Sequence, residues 1–371
     1  MMNGGSAVDF ITFIAVLMLL SYISRELEVY RISSEIELHL RLFKASRDKA
    51  ASSVVRKLGE LVSKMKLRVN LSELESKVNE LIELVVIPVE SMDPFAVVKK
   101  VKYMMLNVDK SLEGEIRRIA PNAEKSDVDT LASLVHVARS LNFLYKALNH
   151  DYTLARRFKS YWLLLQLQAL LPFIAETVKS YEGALEALLR QVPIGDSAGP
   201  LVLSTLAREL KAEYVDIGVP DTRVYLADLE GRRIILIKAE GPGSNVGRVD
   251  EALRRALIMW GDSVSFVVTI DAMVKLEGEV SGSIVEGFGV AVGGTGAEKY
   301  EIEEVLAEYG LKAYALLIKM SAEEAMMPMS KDLYDACLKA KDRVKALLLE
   351  HVQPRETAVV VGVGNTLGVG N

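Results

Sequence analysis

The chain has 371 residues, of which 50% are hydrophobic and 26% are charged, with a net charge of -5. This composition excludes a disordered chain, and the length exceeds that of one small domain. A single cysteine excludes a disulfide framework and, with only four histidines, a zinc module built from cysteine and histidine. The negative charge argues against a dedicated nucleic-acid-binding protein, so no nucleic-acid partner is expected.

An apolar run, Phe10–Ile23, lies near the N-terminus. No basic residue precedes it and no cleavage site of small residues follows, so it is a poor signal peptide. With its apolar neighbours it approaches the roughly 17–25 residues that a spanning helix needs. Arg25 and Arg31 follow it, which favours a cytoplasmic location for the rest of the chain. We predict a single-pass transmembrane anchor at 1–30 that contacts membrane lipid and places the protein at the cell membrane. The alternative is a buried helix of a soluble bundle.

Residues 31–192 are predicted to form a helical bundle. Only five of the 25 glycines lie before residue 195, and apolar residues recur at helical spacing. Ser72 and Glu75 have the spacing of a capping box at the start of a helix, and Pro172 should kink or split a later helix. Two basic clusters, Lys99–Lys102 and Arg156–Lys159, are explained either by solvated helix faces or by nearby anionic lipid.

The residues after 192 have a different composition. They hold 20 of the 25 glycines and a net charge of -8, whereas residues 24–192 carry +4. We therefore place a domain boundary near 191–195. Apolar strand-like runs alternate with amphipathic helices and begin with a predicted hairpin at 223–238. The predicted fold class is α + α/β, in which 193–371 forms a mainly parallel sheet flanked by helices on both faces.

Several common catalytic arrangements are absent from the sequence. Three of the four histidines lie in the helical half, and His351 ends a long helix, so a Ser-His-Asp or Cys-His arrangement is not expected. Cys337 lies within a predicted helix and is typical of a core thiol. No Gly-Lys-Ser/Thr phosphate loop occurs. Carboxylates and backbone amides therefore remain as the candidates for chemistry.

Two aspartates are the candidate catalytic residues. Asp196 precedes a predicted helix, and Asp271 ends a buried strand. Ligands of open α/β sheets bind outside the carboxyl ends of the strands, and two neighbouring carboxylates can act as an acid/base pair or hold a divalent metal. The simpler alternative is that each aspartate only caps a helix or a turn. Four further residues are predicted to line the same site: Gly195, Gly199, Gly364 and Asn365.

Two other segments suggest different chemistry. The loop between a strand and a helix contains Gly241, Gly243, Ser244, Asn245 and Gly247, and its amides could bind a phosphate, unless the loop is an ordinary capped turn.

Glu277 and Glu279 follow Asp271 with strand-like alternation. Together the three acids could bind a divalent cation, which would be the only cofactor that the sequence suggests. The commoner meaning of such a segment is a solvated loop or edge strand.

Three short motifs in the second half carry a resemblance. Gly364-Asn365 after a strand, Asp196-Ser-Ala-Gly-Pro-Leu before a helix, and Ile270-Asp271-Ala272 resemble motifs of the spore germination protease and hydrogenase maturation peptidase group. This resemblance implies that Asp196 and Asp271 are the catalytic pair. The motifs occur in a different order along this chain than in that group, so the match requires a circular permutation. The metal-binding histidine of the maturation peptidases has no counterpart in this sequence. The full chain also resembles an uncharacterised archaeal family, a domain of unknown function.

The leading functional prediction is a membrane-anchored, peptidase-like hydrolase. Asp196 and Asp271 would form its acid/base pair, Gly364 and Asn365 would shape the carbonyl-binding side of the cleft, and a peptide would be its ligand. The alternatives are a non-catalytic module that binds a nucleotide or another phosphorylated ligand, and a membrane-tethered scaffold. A methionine-dense segment, 320–330, is predicted to lie in the core or at the interface of a homo-oligomer.

Overall fold

A computed structural model describes residues 4–67, 70–84, 97–292 and 297–371. The helices are α1 (Gly4–Lys64), α2 (Leu71–Glu83), α3 (Val97–Ile119), α4 (Lys125–Arg157), α5 (Tyr161–Arg190), α6 (Ala198–Glu209), α7 (Val249–Trp260), α8 (Ala297–Glu308), α9 (Ala322–Met326) and α10 (Lys331–His351). The strands are β1 (Glu213–Val215), β2 (Thr222–Leu229), β3 (Arg232–Ala239), β4 (Val264–Val274), β5 (Ile284–Phe288), β6 (Ala313–Met320) and β7 (Thr357–Gly362).

Packing separates the chain into two compact units. The first comprises Met1–Lys49 and Ser140–Val178, and the second comprises Ala50–Arg139 and Lys179–Asn371. Residues 50–139 therefore pack in the same unit as the sheet. The proposed domain ranges 1–30, 31–192 and 193–371 stay a prediction.

In the first unit, parts of α1, α4 and α5 pack along one another. Their shared core is apolar and consists of Ile32, Ile36, Leu40, Phe43, Leu141, Leu148, Leu164, Leu167 and Leu171. The hydroxyl of Tyr152 donates to Glu37 at 2.6 Å, and the side-chain amide of Gln168 donates to Glu35 at 2.7 Å. These partly buried polar contacts join α4 and α5 to α1 at defined positions.

The second unit contains a seven-stranded mixed sheet in the order β1-β2-β3-β7-β4-β6-β5. The four central strands, β3, β7, β4 and β6, pair in parallel, whereas β1, β2 and β5 pair antiparallel. Strand β7 lies between β3 and β4, with Val360 opposite Leu236 on one side and Val268 on the other. The predicted fold class is confirmed: a helical N-terminal region precedes a sheet that is flanked by helices.

Each face of the sheet has its own core. On one face, α6 and α10 cover alternate strand residues such as Leu236, Ile270 and Val360. On the other face, α7 and α8 cover the intervening residues, such as Ile237 and Val361. The central strands are therefore buried on both sides, which explains their continuous runs of β-branched and aliphatic residues.

Some local predictions differ from the structure. Helix α2 is capped by Asn70, whose side chain accepts from the N–H of Ser72 at 3.2 Å, and not by Ser72 itself. Pro172 does not split α5. The predicted anchor and the helix after it form one continuous α1. The short β1 was not expected.

Within the described residues, two helices are long and apolar enough to cross a membrane, judged only by length and composition. They lie at Asp9–Lys64, where the apolar window is fully exposed, and at Tyr161–Arg190, where 22% of it is buried.

Candidate active site

The carboxyl ends of β4 and β7 form a corner of the sheet. Strand β7 ends at Gly362, opposite Ile270, whereas β4 continues beside β6 to Val274. Directly beyond this last pair, the N–H of Val363 donates to the carbonyl of Ile270 at 2.8 Å. Asp271 is therefore the first residue of β4 that lies beyond the end of β7.

The segments that leave these two strands diverge. After β7, the chain turns towards the loop that follows β3, where the hydroxyl of Thr366 donates to the carbonyl of Gly243 at 2.9 Å. After β4, the chain follows β6, and the N–H of Lys275 donates to the carbonyl of Met320 at 2.8 Å. In open α/β sheets, the usual ligand position lies outside the carboxyl ends of adjacent parallel strands whose following segments diverge in this way.

Asp196 lies over this corner, in a single turn of 3-10 helix (Gly195–Ser197) that leads into α6. Its Oδ2 accepts a hydrogen bond from the backbone N–H of Asn365 at 3.0 Å. Burial raises the pKa of Asp196, and the hydrogen bond from Asn365 opposes the rise to a smaller extent. A carboxyl group with a raised pKa can hold a proton for transfer.

Hydrogen bonds to the segment after α9 hold the turn that carries Asp196 in place. The N–H of Gly195 donates to the carbonyl of Met327 at 3.2 Å, and the N–H of Met329 donates to the carbonyl of Pro193 at 2.7 Å. The methionine-dense segment thus pairs with the chain before α6, and Met320 is fully buried. This agrees with the prediction that the segment contributes to the core.

The glycines predicted to bind ligand at this corner contact protein backbone. A Cβ on Gly199 would lie 2.2 Å from the carbonyl oxygen of Val363 and 2.5 Å from that of Ile270. A Cβ on Gly195 would lie 2.2 Å from the carbonyl oxygen of Glu324. Gly364 has a φ of +125° and a Cβ there would lie 2.1 Å from the carbonyl oxygen of Asp196. These glycines let α6 approach the ends of β4 and β7 closely.

Asp271 is 4% exposed and belongs to the parallel ladder between β4 and β6. Its Oδ1 accepts the N–H of Ala272 at 2.7 Å. Strand alternation places its side chain on the same face as Thr269, whose hydroxyl accepts the N–H of Ala291 at 2.8 Å. Asp271 therefore lies at the same sheet corner as Asp196, on the face that α7 and α8 cover.

Asn365 contributes to the site through its backbone. Its side-chain amide donates to the hydroxyl of Ser244 at 3.0 Å, and its side-chain carbonyl accepts the N–H of Leu367 at 2.8 Å. Ser244 accepts in turn from the hydroxyl of Ser133 on α4 at 2.8 Å. The Asn365 side chain is therefore committed to bonds within the protein, and the expectation that Gly364 and Asn365 shape the carbonyl-binding side of the cleft stays a prediction. Asn365 is a positioning residue for Asp196.

The structure does not support a phosphate site in the loop at 241–247. A Cβ on Gly241 would lie 1.8 Å from the carbonyl oxygen of Val369, and one on Gly243 would lie 2.9 Å from Cα of Ser126. These neighbours therefore pack closely against the loop.

The amides at the end of this loop already have partners. The N–H of Gly247 donates to the side chain of Asn245 at 2.6 Å, and that of Arg248 donates to Thr222 at 2.7 Å. The first turn of α7 also carries Asp250 and Glu251, which repel an anion. Gly241, Gly243, Asn245 and Gly247 thus act as packing and turn residues.

The three acids of the suggested cation site are not brought together. Asp271 is buried in β4, Glu277 is exposed on the following loop, and Glu279 forms an ion pair with Lys319. Among the residues that the structure describes, no group of three or more histidine, cysteine, aspartate or glutamate side chains could hold a metal ion. The suggested metal site at Asp271, Glu277 and Glu279 is therefore not formed.

Lys238, at the carboxyl end of β3, was not among the predicted site residues. It is 1% exposed, and its ammonium donates to the carbonyl of Ala239 at 3.1 Å and to the side chain of Asn371 at 3.3 Å. Burial, together with the nearby charge of Arg223, lowers the pKa of Lys238 to about 8. The signal in the sequence is a single lysine that follows the apolar run 234–237 near the end of the strand. Its bonds tie the segment after β7 to β3.

A cluster of charges lies beside the loop at 241–247. Lys125 forms ion pairs with Asp221 and Glu240, and Glu240 also pairs with Arg223. Burial raises the pKa of the neighbouring Asp129 to about 7, while Lys125 opposes this rise. Four of these residues line an open cleft of about 390 Å³, which mixes both signs of charge. Its charges are largely paired, so it is a weaker candidate for a site.

Two family models cover nearly the whole chain. Residues 10–191 match the N-terminal domain of a protein of unknown function, DUF1512, and residues 194–370 match the C-terminal domain of the same family. The chain belongs to the DUF1512 family. The matches to the two DUF1512 domains meet at residues 191–194, directly before the turn that carries Asp196.

Comparisons outside the DUF1512 family give little further information. No curated protein matches the chain. One matching solved structure is a PAC2 family protein from Streptomyces avermitilis, with 16% sequence identity and a TM-score of 0.29. This match covers 43% of the present chain and 84% of the other.

Proposed function

We propose that this DUF1512 protein is a membrane-anchored hydrolase whose active site lies at the sheet corner where β4 passes the end of β7. The observation that carries the proposal is the position of Asp196, a carboxyl group with a raised pKa held by the N–H of Asn365 at 3.0 Å. Asp271 lies at the same corner in β4, but its side chain is on the other face of the sheet, so the proposal requires the substrate to bind across the strand ends, where both carboxyl groups can reach it. Carboxyl groups in unlike environments supply an acid and a base to one reaction.

In this mechanism Asp271 accepts a proton from water as the water attacks a carbonyl carbon. Asp196, which carries a proton, donates it to the leaving group when the bond breaks. Water supplies the oxygen of the new carboxyl group. The cycle closes when Asp271 releases its proton to solvent and Asp196 takes one up. The three motifs that resemble the germination protease group favour an amide bond, and hence a peptide substrate. General acid and base catalysis contributes about 10²–10⁴-fold to the rate.

Membrane anchoring rests on the first part of α1. Side chains from Phe10 to Leu27 are almost all exposed, including Phe10 at 64% and Leu27 at 65%. Exposed apolar surface on this scale needs a partner, and no charged residue occurs between Asp9 and Arg25. The rise of an α-helix from Asp9 to Leu27 is about 27 Å, close to the hydrocarbon thickness of a bilayer.

The test uses the full chain purified in nanodiscs. A mixed-sequence library of fluorogenic peptides is incubated with the wild type and with the D196N and D271N variants. We expect the wild type to cleave a subset of the library, and each variant to lower kcat by about 10²–10⁴-fold. Asn has the shape of Asp but does not exchange a proton, so the fold should be retained.

D262N is the matched control, because Asp262 lies just before β4, at the end of the strand opposite to the proposed site. Its activity should equal that of the wild type. The hydrolase proposal is contradicted if the wild type cleaves no member of the library, or if D262N and D196N are equally active. Anchoring is tested separately by flotation of the full chain with liposomes after carbonate extraction.

A further inference from the structure

One end of the first compact unit combines aromatic and basic side chains. The turn between α4 and α5, residues 158–160, lies beside α1, and the guanidinium of Arg25 lies 5.3 Å from the centre of the Tyr161 ring. The same end contains an open cleft of about 510 Å³. Arg25, Lys159, Ser160, Tyr161 and Trp162 line this cleft.

The side chains at this turn point outwards. Phe158 is 68% exposed and Trp162 is 74% exposed, although large aromatic residues are usually buried. Arg156, Arg157 and Lys159 are exposed beside them. We call the five residues Phe158, Trp162, Arg156, Arg157 and Lys159 the turn surface. Exposed aromatic rings that alternate with basic residues are typical of the interface between a bilayer and water.

The turn surface lies beside α1 near Arg25, where the exposed first part of the helix ends. Burial of α1 by α4 and α5 starts near Glu28, and the helix before that point is exposed. Arg25, which contacts Tyr161, is the first basic residue after the uncharged apolar run. If α1 inserts up to Arg25, the turn surface lies where the helix leaves the hydrocarbon.

We propose that the turn surface binds the headgroups of anionic phospholipids in the membrane that α1 enters. This inference rests on the proposed insertion of α1. Arg156, Arg157, Lys159 and Arg25 attract the phosphate groups, while Phe158 and Trp162 enter the interfacial layer. The chain is thereby held by a second contact, which fixes the rotation and tilt of α1.

The other basic cluster does not offer such a surface. Lys102 forms ion pairs with Asp250 and Glu301, and is therefore committed to contacts within the second unit. The cluster at 156–159 is different because its basic side chains are exposed at a turn, next to exposed rings. Each basic residue near an anionic surface contributes about a fivefold gain in binding.

The experiment uses the tryptophans as reporters, because the chain has two, Trp162 and Trp260. The W260F variant of the full chain is reconstituted in liposomes of phosphatidylcholine with 20% phosphatidylglycerol, a fraction chosen at roughly physiological anionic charge. Two preparations are compared, in which either the phosphatidylcholine or the phosphatidylglycerol carries bromine near its glycerol backbone. We expect bromine to quench Trp162, and brominated phosphatidylglycerol to quench it roughly twofold more than brominated phosphatidylcholine at equal mole fraction.

A charge variant of W260F, with R156Q, R157Q and K159N, should lose this lipid preference but still be quenched. Asn is chosen at 159 because Lys159 has a φ of +49°, which Asn tolerates. W162F, in which Trp260 reports, controls for non-specific quenching. High salt should also reduce the preference.

The outcomes separate this inference from the proposed anchor. A chain that does not float with liposomes disproves insertion of α1. A chain that floats, but whose Trp162 is not quenched, disproves contact between the turn surface and lipid. Equal quenching by the two brominated lipids disproves the preference for anionic headgroups, as does a preference that survives the charge variant.

Discussion

The backbone N–H of Asn365 donates to Oδ2 of Asp196 at 3.0 Å, although 169 residues separate the two in sequence. This bond joins the turn before α6 to the segment after β7. It favours the ionised carboxylate, whereas burial favours the protonated form and has the larger effect. The proton affinity of Asp196 is thus set by two opposed contributions.

This balance predicts a pH dependence of the proposed hydrolysis. If protonated Asp196 is the acid, kcat/KM falls as the pH rises through the raised pKa of Asp196. N365P lacks the N–H donor, so the pKa rises further and the fall moves to higher pH. N365A keeps the N–H and should keep the wild-type profile. The measurement is kcat/KM against pH, with circular dichroism to verify folding. An identical profile for folded N365P would contradict the role given to this bond.

Gly199 is expected to tolerate no side chain. Its Cβ would overlap the carbonyl oxygens of Val363 and Ile270, which are backbone atoms that cannot rotate away. We predict that G199A destabilises the protein by about 4 kcal/mol or more, or prevents its folding. Gly114, exposed on α3 with open space around it, is the control, and G114A should stabilise by about 0.5–1 kcal/mol. Thermal unfolding measures both, and equal Tm values for the two variants would be inconsistent with close packing at Gly199.

The raised pKa of Asp129 predicts that the folded protein loses stability as the pH rises. Because burial raises its pKa to about 7, the folded chain holds a proton that the unfolded chain releases above about pH 4. Stability should fall as the pH rises from about 4 to 7 and then level off. D129N removes this penalty, so its Tm should exceed that of the wild type at pH 8 and match it near pH 4. After discounting for partial exposure, the gain is about 1–2 kcal/mol.

Asp127 is the control for this prediction. It lies in the first turn of α4, two residues before Asp129, and pairs with Lys57 at 3.7 Å. D127N should therefore give no gain that grows with pH. If D129N and the wild type keep the same difference in Tm at every pH, Asp129 does not hold the proton assigned to it.

Lys102 joins α3 to α7 and α8 through two carboxylates, Asp250 and Glu301. The side chain of Asp250 is only 2% exposed. K102M would leave two acids side by side without a cation, at an expected loss of about 2–4 kcal/mol. Replacing the buried acid as well, in K102M/D250N, should restore part of that loss. Denaturation midpoints in urea measure both, and K110M, on an exposed position of α3, should have no effect. A K102M midpoint equal to that of K110M would exclude this role.

The sequence predicted the sheet well because strand periodicity is a local property. The hairpin at 223–238, the buried strand that contains Asp271 and the strand before Gly364 are all present, although β4 continues beyond Asp271 to Val274. The order of the strands was not predicted, since the insertion of β7 between β3 and β4 depends on contacts far apart in sequence. The antiparallel edges, β1 and β5, are short and exposed, so their apolar pattern is weak.

The candidate site was predicted in part. Asp196, Gly364 and Asn365 do meet, because their motifs follow or precede central elements of a parallel sheet. The direction of the Asn365 side chain depends on Ser244, which belongs to another loop, and nothing in the local sequence indicates that contact. Glu279 was misjudged for a similar reason, as its partner Lys319 lies on β6.

The central position of β7 has a consequence for synthesis of the chain. Until residues 357–362 leave the ribosome, β3 and β4 have no common neighbour, and each presents an unpaired edge. At 5–20 residues per second, the interval between the end of β4 and the end of β7 lasts roughly 4–18 s. During this time the apolar strands β3 and β4 of the nascent chain lack their shared neighbour and stay unpaired at one edge. A translational pause placed before β7 would prolong that exposure and favour aggregation.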